Sequence, residues 1–573
     1  MLGLLFDFIT TSPLRVFVLV VLVHALQVQA STYAEFPATG TLLKTAVNEY
    51  CGLPPEDQSS FTFSDGGNDY GPIEGWKTGL VTDMGSLFYR KLYCNPDISG
   101  WNVSSVTNMY AMFWNARQFD GDLSGWETGA VTDMSKMFYN AVQFNGNLSK
   151  WNTGAVTTMR SMFYEAAKFN GDLSAWNTSA VTNMARMFVR ASTFNGGDLS
   201  AWDTSRVKNM EAMFFGASSF NGDLSKWDTS SVTDMFEMFQ GATQFNGDLS
   251  AWDTGAVRKM WAMFFKASSF TGGDLTAWDV SSVTDMYAMF ADAAQFNGGI
   301  SSWDVSSVTN MYKMFDGASS FNDDLSAWDT SKVTNMQFMF NGATSFNGSL
   351  SGWDTSSVIY MNNMFEGAAQ FNGDLSNWDI AAVNHMGFMF NGAAKFNQNL
   401  CAWSSDFPYD SSSNIFTASA CAFTSDPVQA NLGPFCGNDC ELSLSPSSQP
   451  SLTPSTQPSS EPSFVPSPSL SRQPSSQPSL TPSKSAVPSS HPSLKPLATP
   501  SIPHQPSSQP RSTPSKSAMP SSHPSSRRWP SSQPRLTPSS ILNSSSKASK
   551  ASNTKAAKAD QYRPRKRLRL HST

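Results

Sequence analysis

Apolar residues recur along residues 76–403 on a period that is fixed to within one residue. Trp76, Trp101, Trp126, Trp151 and Trp176 are 25 apart, and the series continues through Trp202, Trp227, Trp252, Trp278, Trp303, Trp328, Trp353 and Trp378 to Trp403. Only two intervals are 26. The unit reads Trp-Asp/Asn-Thr-Ser-x-Val-Thr-Asp/Asn-Met-x-x-Met-Phe-x-x-Ala-x-x-Phe-Asn-Gly-Asp-Leu-Ser-x. In the coil that starts at Trp227, Val232, Met235, Met238, Phe239, Ala242 and Phe245 are apolar, and steps of three and four predict a short helix from Val232 to Ala242. Ser230 and Thr233 supply hydroxyls near its start. Asn246-Gly247-Asp248 predicts a turn, and Leu249 to Thr254 a short strand that pairs with its copies in adjacent coils. The extra residue of each 26-residue interval falls in that turn, at Asn195-Gly196-Gly197-Asp198 and Thr271-Gly272-Gly273-Asp274.

A repeat of this size predicts a solenoid in which each coil buries its apolar face on its neighbours. The expected fold is leucine-rich-repeat-like, about 13 coils of 25–26 residues, each a short strand plus a short helix. Like residues then form columns, such as Val81 through Val383 and Phe88 through Phe390.

The string Trp303-Asp-Val-Ser-Ser-Val-Thr-Asn-Met-Tyr-Lys-Met-Phe315, repeated from Trp76 to Trp403, resembles the 26-residue repeats of BspA-like leucine-rich-repeat surface proteins. The resemblance implies a secreted or cell-surface protein of adhesion and recognition. One departure is plain: the L-x-x-L-x-L strand is replaced by Val, Met, Phe and Trp, which puts a regular leucine-rich horseshoe in doubt.

Composition divides the chain. Residues 441–573 hold 17 Lys and Arg against 3 Asp and Glu, whereas the remainder holds 21 against 42. Most of the prolines lie between Pro446 and Pro538 among serines, a composition too polar to bury a core, which predicts a disordered stalk over 441–540. It resembles stalk or wall-spanning segments of secreted algal and related protist proteins. Residues 541–573 form a basic tail, ending Arg563-Pro-Arg-Lys-Arg-Leu-Arg569, expected to tether to an acidic matrix rather than to nucleic acid. Residues 1–30 read as a signal peptide, with Val28-Gln29-Ala30 as the cleavage site and an uncleaved anchor as the alternative; no other segment is apolar enough to span a membrane. The intervening parts are an N-terminal cap (31–75), the repeats (76–403) and a cysteine-containing C-terminal cap (404–440).

All six cysteines flank the interior repeats, as suits an oxidising compartment. Cys51 is expected to pair with Cys94, which stands where later coils carry phenylalanine; Cys401–Cys421 and Cys436–Cys440 are the expected pairs at the other end. Sequons at Asn102, Asn147, Asn177 and Asn347 are candidate N-glycosylation sites.

Catalysis is not expected, since no nucleophile–base pair, phosphate loop or His/Cys metal cluster occurs. Two polar columns, Asn102 to Asp379 after the tryptophans and Asp97 to Asp374 before the leucines, have two readings. Asp and Asn could satisfy turn backbone groups in every coil; alternatively, carboxylates stacked about 5 Å apart could be neutralised by calcium. Recognition is better sought where the copies differ. After the first Met column lie Tyr110, Phe236, Trp261, Tyr287 and Tyr312, and after the Met-Phe pair lie Trp114, Tyr139, Tyr164, Phe215 and Phe265. On an outward face these would form an aromatic strip able to hold an extracellular glycan or protein; the competing expectation is lateral packing between neighbouring coils.

Overall fold

The computed structural model describes residues 33–436 and Cys440. The expected signal segment, Ser/Pro stalk and basic tail lie outside the described residues. Regular structure is confined to the ends. Helix α1 (Thr41–Tyr50) turns Leu43, Ala46, Val47 and Tyr50 inward, the three- and four-residue steps of an amphipathic helix. A short α2 (Pro55–Gln58) starts on its proline. Strands β1 (Phe63–Asp65) and β2 (Asn68–Gly71) form an antiparallel hairpin. Phe36 links this cap to the repeats, with its ring 4.4 Å from Tyr70 and 5.2 Å from Trp76. Cys51 and Cys94 are bonded as expected, stapling the end of α1 to the first coil.

The repeats stack one on another, but not through the elements their spacing suggests. No helix runs from Val232 to Ala242. Instead Met238 N–H bonds the Met235 carbonyl at 3.2 Å, Gln240 that of Glu237 at 3.1 Å and Ala242 that of Phe239 at 3.0 Å, a run of overlapping reverse turns. The intervening N–H groups leave the coil altogether. Met235, Glu237, Phe239 and Gly241 donate to the carbonyls of Lys259, Trp261, Met263 and Phe265 in the following coil, at 3.0, 3.1, 2.9 and 2.7 Å. Reverse turns that close over three residues place apolar side chains with nearly the helical spacing, which is why periodicity misassigned them. A helix would also have consumed the N–H groups internally and left nothing to join the coils.

The geometry demands left-handed backbone twice per coil. Glu237 has φ 56° and Gly241 φ 70°, each at the third position of its turn, where a type II turn needs positive φ. The first of these columns, from Ser86 to Phe388, contains no glycine. In the second, glycine appears at 216, 241, 317, 342, 367 and 392, while Asp292 and others tolerate the strain.

The strand expected from Leu249 to Thr254 is absent too: Trp252 N–H closes a turn on the Leu249 carbonyl at 3.1 Å. Coils pair in parallel one segment further on, through the column Asp83, Asn108, Asp133, Thr158 and onward to Tyr360 and His385. The two extra residues lie outside this pairing, in the Gly196-Gly197 and Gly272-Gly273 pairs, all four at positive φ.

The interior is dry and columnar, with Val, Met, Phe, Leu and Trp of successive coils 0–5% exposed. Buried polar atoms bond between coils. The Trp126 indole N–H reaches the Ile98 carbonyl at 3.2 Å and that of Trp151 the Leu123 carbonyl at 3.0 Å, a pattern repeated to Trp403 with Trp378 as the exception. Buried threonines donate the other way, as Thr229 does to the Asp253 carbonyl at 2.7 Å.

The coils also fan. Paired backbone at the turn ladder is held near the ~4.8 Å strand spacing. Ring centroids are 5.4–5.6 Å apart from Phe113 through Phe138 to Phe163. In the tryptophan column, the Trp151 and Trp176 rings are nearly parallel, at 3°, with centroids 6.5 Å apart. Spacing that widens across the coil curves the stack, with the turn ladder on the inner side.

At the C-terminal end, the carbonyls of Ser411, Ser413, Ile415 and Thr417 take the donors Met386, Phe388, Phe390 and Gly392 at 3.1, 2.9, 2.9 and 2.8 Å, as a further coil would. The disulfides differ from expectation: Cys401 joins Cys440, and Cys421 joins Cys436. Short-loop closure favours Cys436–Cys440 in sequence terms. The chain instead folds back after Cys421, so that Cys436 pairs with Asn399 as a bridge and accepts the Phe423 N–H at 3.0 Å, which brings it over Cys421.

Non-reducing peptide mapping is expected to recover 401–440 and 421–436 linkages, and recovery of a 436–440 loop would contradict this cap. Gly342→Ala, with nothing nearer its added methyl than 3.7 Å, tests the backbone alone. It should destabilise by about 1 kcal/mol, and Asp292→Gly should lower the melting temperature less or raise it. Equal effects from the two substitutions would mean that positive φ costs nothing here.

Candidate ligand-binding face

Within the turn segments the two Met and the Phe point inward, and the residues just after the first Met and after the Met-Phe pair are half-buried or exposed except Ser135, Ala185, Val189 and Ala291. The ten aromatic residues expected on a strip occupy these outward positions, half-buried or exposed; Tyr110 is 36% and Tyr287 39% exposed. Their arrangement is two runs rather than one line. Trp114 lies 4.8 Å from Tyr139, which stacks on Tyr164 at 4.2 Å and 3°. Phe236 stacks on Trp261 at 4.4 Å, Trp261 meets Tyr287 edge-on at 6.5 Å, and Tyr287 stacks on Tyr312 at 5.5 Å. Phe215 and Phe265 stand apart from these rings, beside the Arg190 guanidinium and the Lys266 ammonium. Both expectations for the strip therefore hold in part. The rings pack laterally, coil on coil, so their faces are largely used; their edges and phenol groups remain outward.

Two members of the same face went unrecognised in the sequence. Tyr89 lies edge-on to Trp114 at 5.5 Å, and Phe338 edge-on to Tyr312 at 5.9 Å. Tyr89 shares a column with Trp114 and could have been found by extending that column one coil back. Phe338 occupies the left-handed column, whose outward direction the helical assignment concealed. Trp261 and Phe265 rest on a small apolar cluster of Ala262, Ala288 and Ala291, separate from the main core.

Between the runs lies a pocket of about 180 Å³ lined by Tyr164, Arg186, Val189, Arg190, Ala212, Phe215 and Glu237. Arg186 pairs with Glu211, and Arg190 with Glu165 at 3.1 Å. Burial raises the Glu237 carboxyl above the usual range, with Arg186 opposing and Glu211 adding to the rise. The Tyr139 phenol is pushed up to about 12, first by burial and then by neighbouring Tyr164. The Tyr139 phenol is thus uncharged over the physiological range.

The polar columns have a structural occupation. Asp203, Asp228 and Asp354 each accept the N–H two residues ahead, at 3.0 Å, and the hydroxyl of the same serine at 2.6 Å. In the second column Asp97, Asp248 and Asp274 likewise accept the N–H two residues ahead, at 3.1, 2.9 and 3.0 Å. Among the described residues no group of three or more His, Cys, Asp or Glu side chains is placed to hold a metal ion. The candidate glycosylation sites Asn102, Asn147 and Asn177 are exposed members of such turns, and exposed Asn347 accepts the Asn372 N–H at 2.8 Å.

These hydrogen bonds hold the carboxyls of Asp203, Asp279, Asp329 and Asp354 below the ordinary range, the serine hydroxyl being the largest cause. A depressed folded pKa contributes stability that is present above the unfolded value, near 3.9, and lost as pH falls through the folded one. The melting temperature should therefore be level from about pH 7 to 5 and fall below about pH 4. Replacing these four aspartates by asparagine keeps the acceptor oxygen, as Asn102 and Asn177 already do, and should flatten the acid loss. An unchanged acid profile would show that the columns do not govern it.

A family model described as "Mycoplasma protein of unknown function, DUF285" matches residues 58–176, 122–198, 193–274, 265–358 and 321–428. Neither the curated proteins nor the solved structures include a match. Three disulfides fit an oxidising environment, and among the described residues no helix is long and apolar enough to cross a membrane. Since the overlapping matches run through the whole repeat stack and cover well over half of the sequence, the chain belongs to the DUF285 family.

Proposed function

We propose that this chain is a secreted or surface-displayed recognition protein, and that its repeat stack, a solenoid of leucine-rich-repeat-like kind, binds an extracellular glycan or protein along the inner, aromatic face. One observation carries the reading. The chain supplies 13 internal copies of its own fold, and in these copies the core and turn-capping columns hardly change. The outward positions change freely, and there the differences concentrate into rings, from Tyr110 to Tyr164 and from Phe236 to Tyr312. Folding alone does not ask for tryptophan at 261 when glutamine or asparagine serves three or four coils later at 337 and 362.

Two further points support it. The fan of the coils puts this face on the inside of the curve, where a ligand touches more coils at once. The disulfide-stapled ends suit an exported protein. In this reading the chain is not an enzyme, calcium is not required, and the basic tail anchors it to an acidic matrix. A structural wall or matrix component without a specific ligand is the second reading, favoured by the lateral packing of the rings on one another.

The test is to screen the full chain against a glycan array and a panel of extracellular proteins, then repeat with Trp261→Ala and Tyr287→Ala combined. Binding should be lost while the melting temperature drops only slightly, because both side chains sit outside the main core. Undiminished binding by that variant would count against the aromatic face, and absence of any ligand would favour the structural reading.

A further inference from the structure

The cations of the inner face fall into two groups. Arg186, Arg190, Lys259 and Lys313 each pair with a carboxylate: Glu211, Glu165, Asp234 and Asp316. Lys136 and Arg160, on successive coils, do not; Arg90 and Lys266 also have no such partner but stand singly, over Tyr89 and Phe265. The Lys136 ammonium lies 4.7 Å from the Trp114 ring centroid and 5.5 Å from that of Tyr110, and donates to the Tyr110 hydroxyl at 3.3 Å. Its backbone N–H bonds the Arg160 carbonyl at 2.8 Å, which fixes the two residues side by side.

Arg160 is the more unusual. Its Nε is buried without a hydrogen-bond partner, a condition shared among the described residues only with the Trp378 indole. A desolvated donor left unpaired is costly, and native chains rarely keep one without a use for it. The terminal nitrogens of the same guanidinium are not buried, and no protein acceptor meets them. No carboxylate stands at the column position of this coil: where Asp133 precedes and Asn183 follows, the column holds Thr158, whose hydroxyl is shared with that of Ser135 at 3.0 Å.

We infer that Lys136 and Arg160, framed by Trp114, Tyr139 and Tyr164, form the anion-reading part of the recognition face, and that its occupant is an acidic polysaccharide bearing carboxylates on its sugar rings. This rests on the recognition reading above and names its ligand class. Three physical arguments select the occupant. A guanidinium fork matches a planar carboxylate with two parallel hydrogen bonds. The stacked rings of Tyr139 and Tyr164 offer edges and hydroxyls rather than open faces, which suits sugar hydroxyl groups better than a flat apolar partner. An extended acidic peptide repeats its same-side groups about every 6.8 Å, out of step with the ~4.8 Å ladder of coils.

The experiment titrates the full chain with a soluble oligogalacturonate by calorimetry, alongside a neutral oligosaccharide of equal length and oligoglutamate. The basic tail is identical in every protein compared, so its contribution cancels. Arg160→Gln should weaken oligogalacturonate binding about tenfold, and Arg160→Lys less, because the charge stays and the fork is lost. The melting temperature of Arg160→Gln should not fall. Equal affinity of Arg160→Gln and the unaltered chain would overturn the proposal. So would oligoglutamate bound as tightly with the same dependence on Arg160, which would indicate a peptide ligand. If the Trp261/Tyr287 variant loses its ligand while Arg160→Gln keeps it, this inference falls and the recognition reading stands; if neither variant matters, both fall.

Discussion

Everything in this molecule depends on how the backbone of one coil spends its N–H groups. Alternate donors in the turn segment close turns within the coil, and the others reach the next coil. That division is possible only if a residue near each turn's end adopts positive φ, which L-residues resist by about 1–2 kcal/mol each. The strain persists because the surroundings over-determine it: a displaced Glu237 would break its bond to Trp261 and disturb the Met and Phe columns on either side. Core packing, tryptophan–carbonyl bonds and the aromatic inner face all follow from that arrangement.

The stack was legible in the sequence because tryptophan spacing reports it directly. The columns, the dry interior, the turn-forming aspartates and the Cys51–Cys94 staple could be read for the same reason. The elements inside each coil could not. Val232, Met235, Met238 and Ala242 satisfy a helix and a chain of reverse turns equally well, since both place a side chain inward every three or four residues. The deciding feature, positive φ at Glu237 and its equivalents, leaves little trace when the residue is Ser, Ala, Lys or Glu. Glycine at 241, 317 and 342 was the only hint, and it resembled a helix end. The second half of the cysteine pairing depended on a return of the chain after Cys421, a long-range event that spacing does not encode.

The face opposite the tryptophans was legible as a set of residues but not as a geometry. Tyr110 through Tyr312 do point outward. Yet the rings face one another rather than solvent, so chemistry at this surface belongs to ring edges, phenol groups and the cations between them. Lys136 and Arg160 drew no attention as isolated letters. They acquire meaning from what surrounds them: paired cations on neighbouring coils, and Thr158 where the column elsewhere in this stretch holds Asp or Asn.

The direction of hydrogen bonding has a consequence for solubility. Within the turn segment each coil donates to its successor, so there the first coil shows outward only acceptors; among the described residues no backbone N–H reaches the carbonyls of Gly85, Leu87 or Tyr89. The opposite end is closed by the carbonyls of residues 411–417. An open sheet edge ordinarily templates fibres because it offers donors and acceptors to a copy of itself. Two of these molecules meeting at their open ends would set oxygen against oxygen. A protein built internally like a fibril is thereby kept from growing into one.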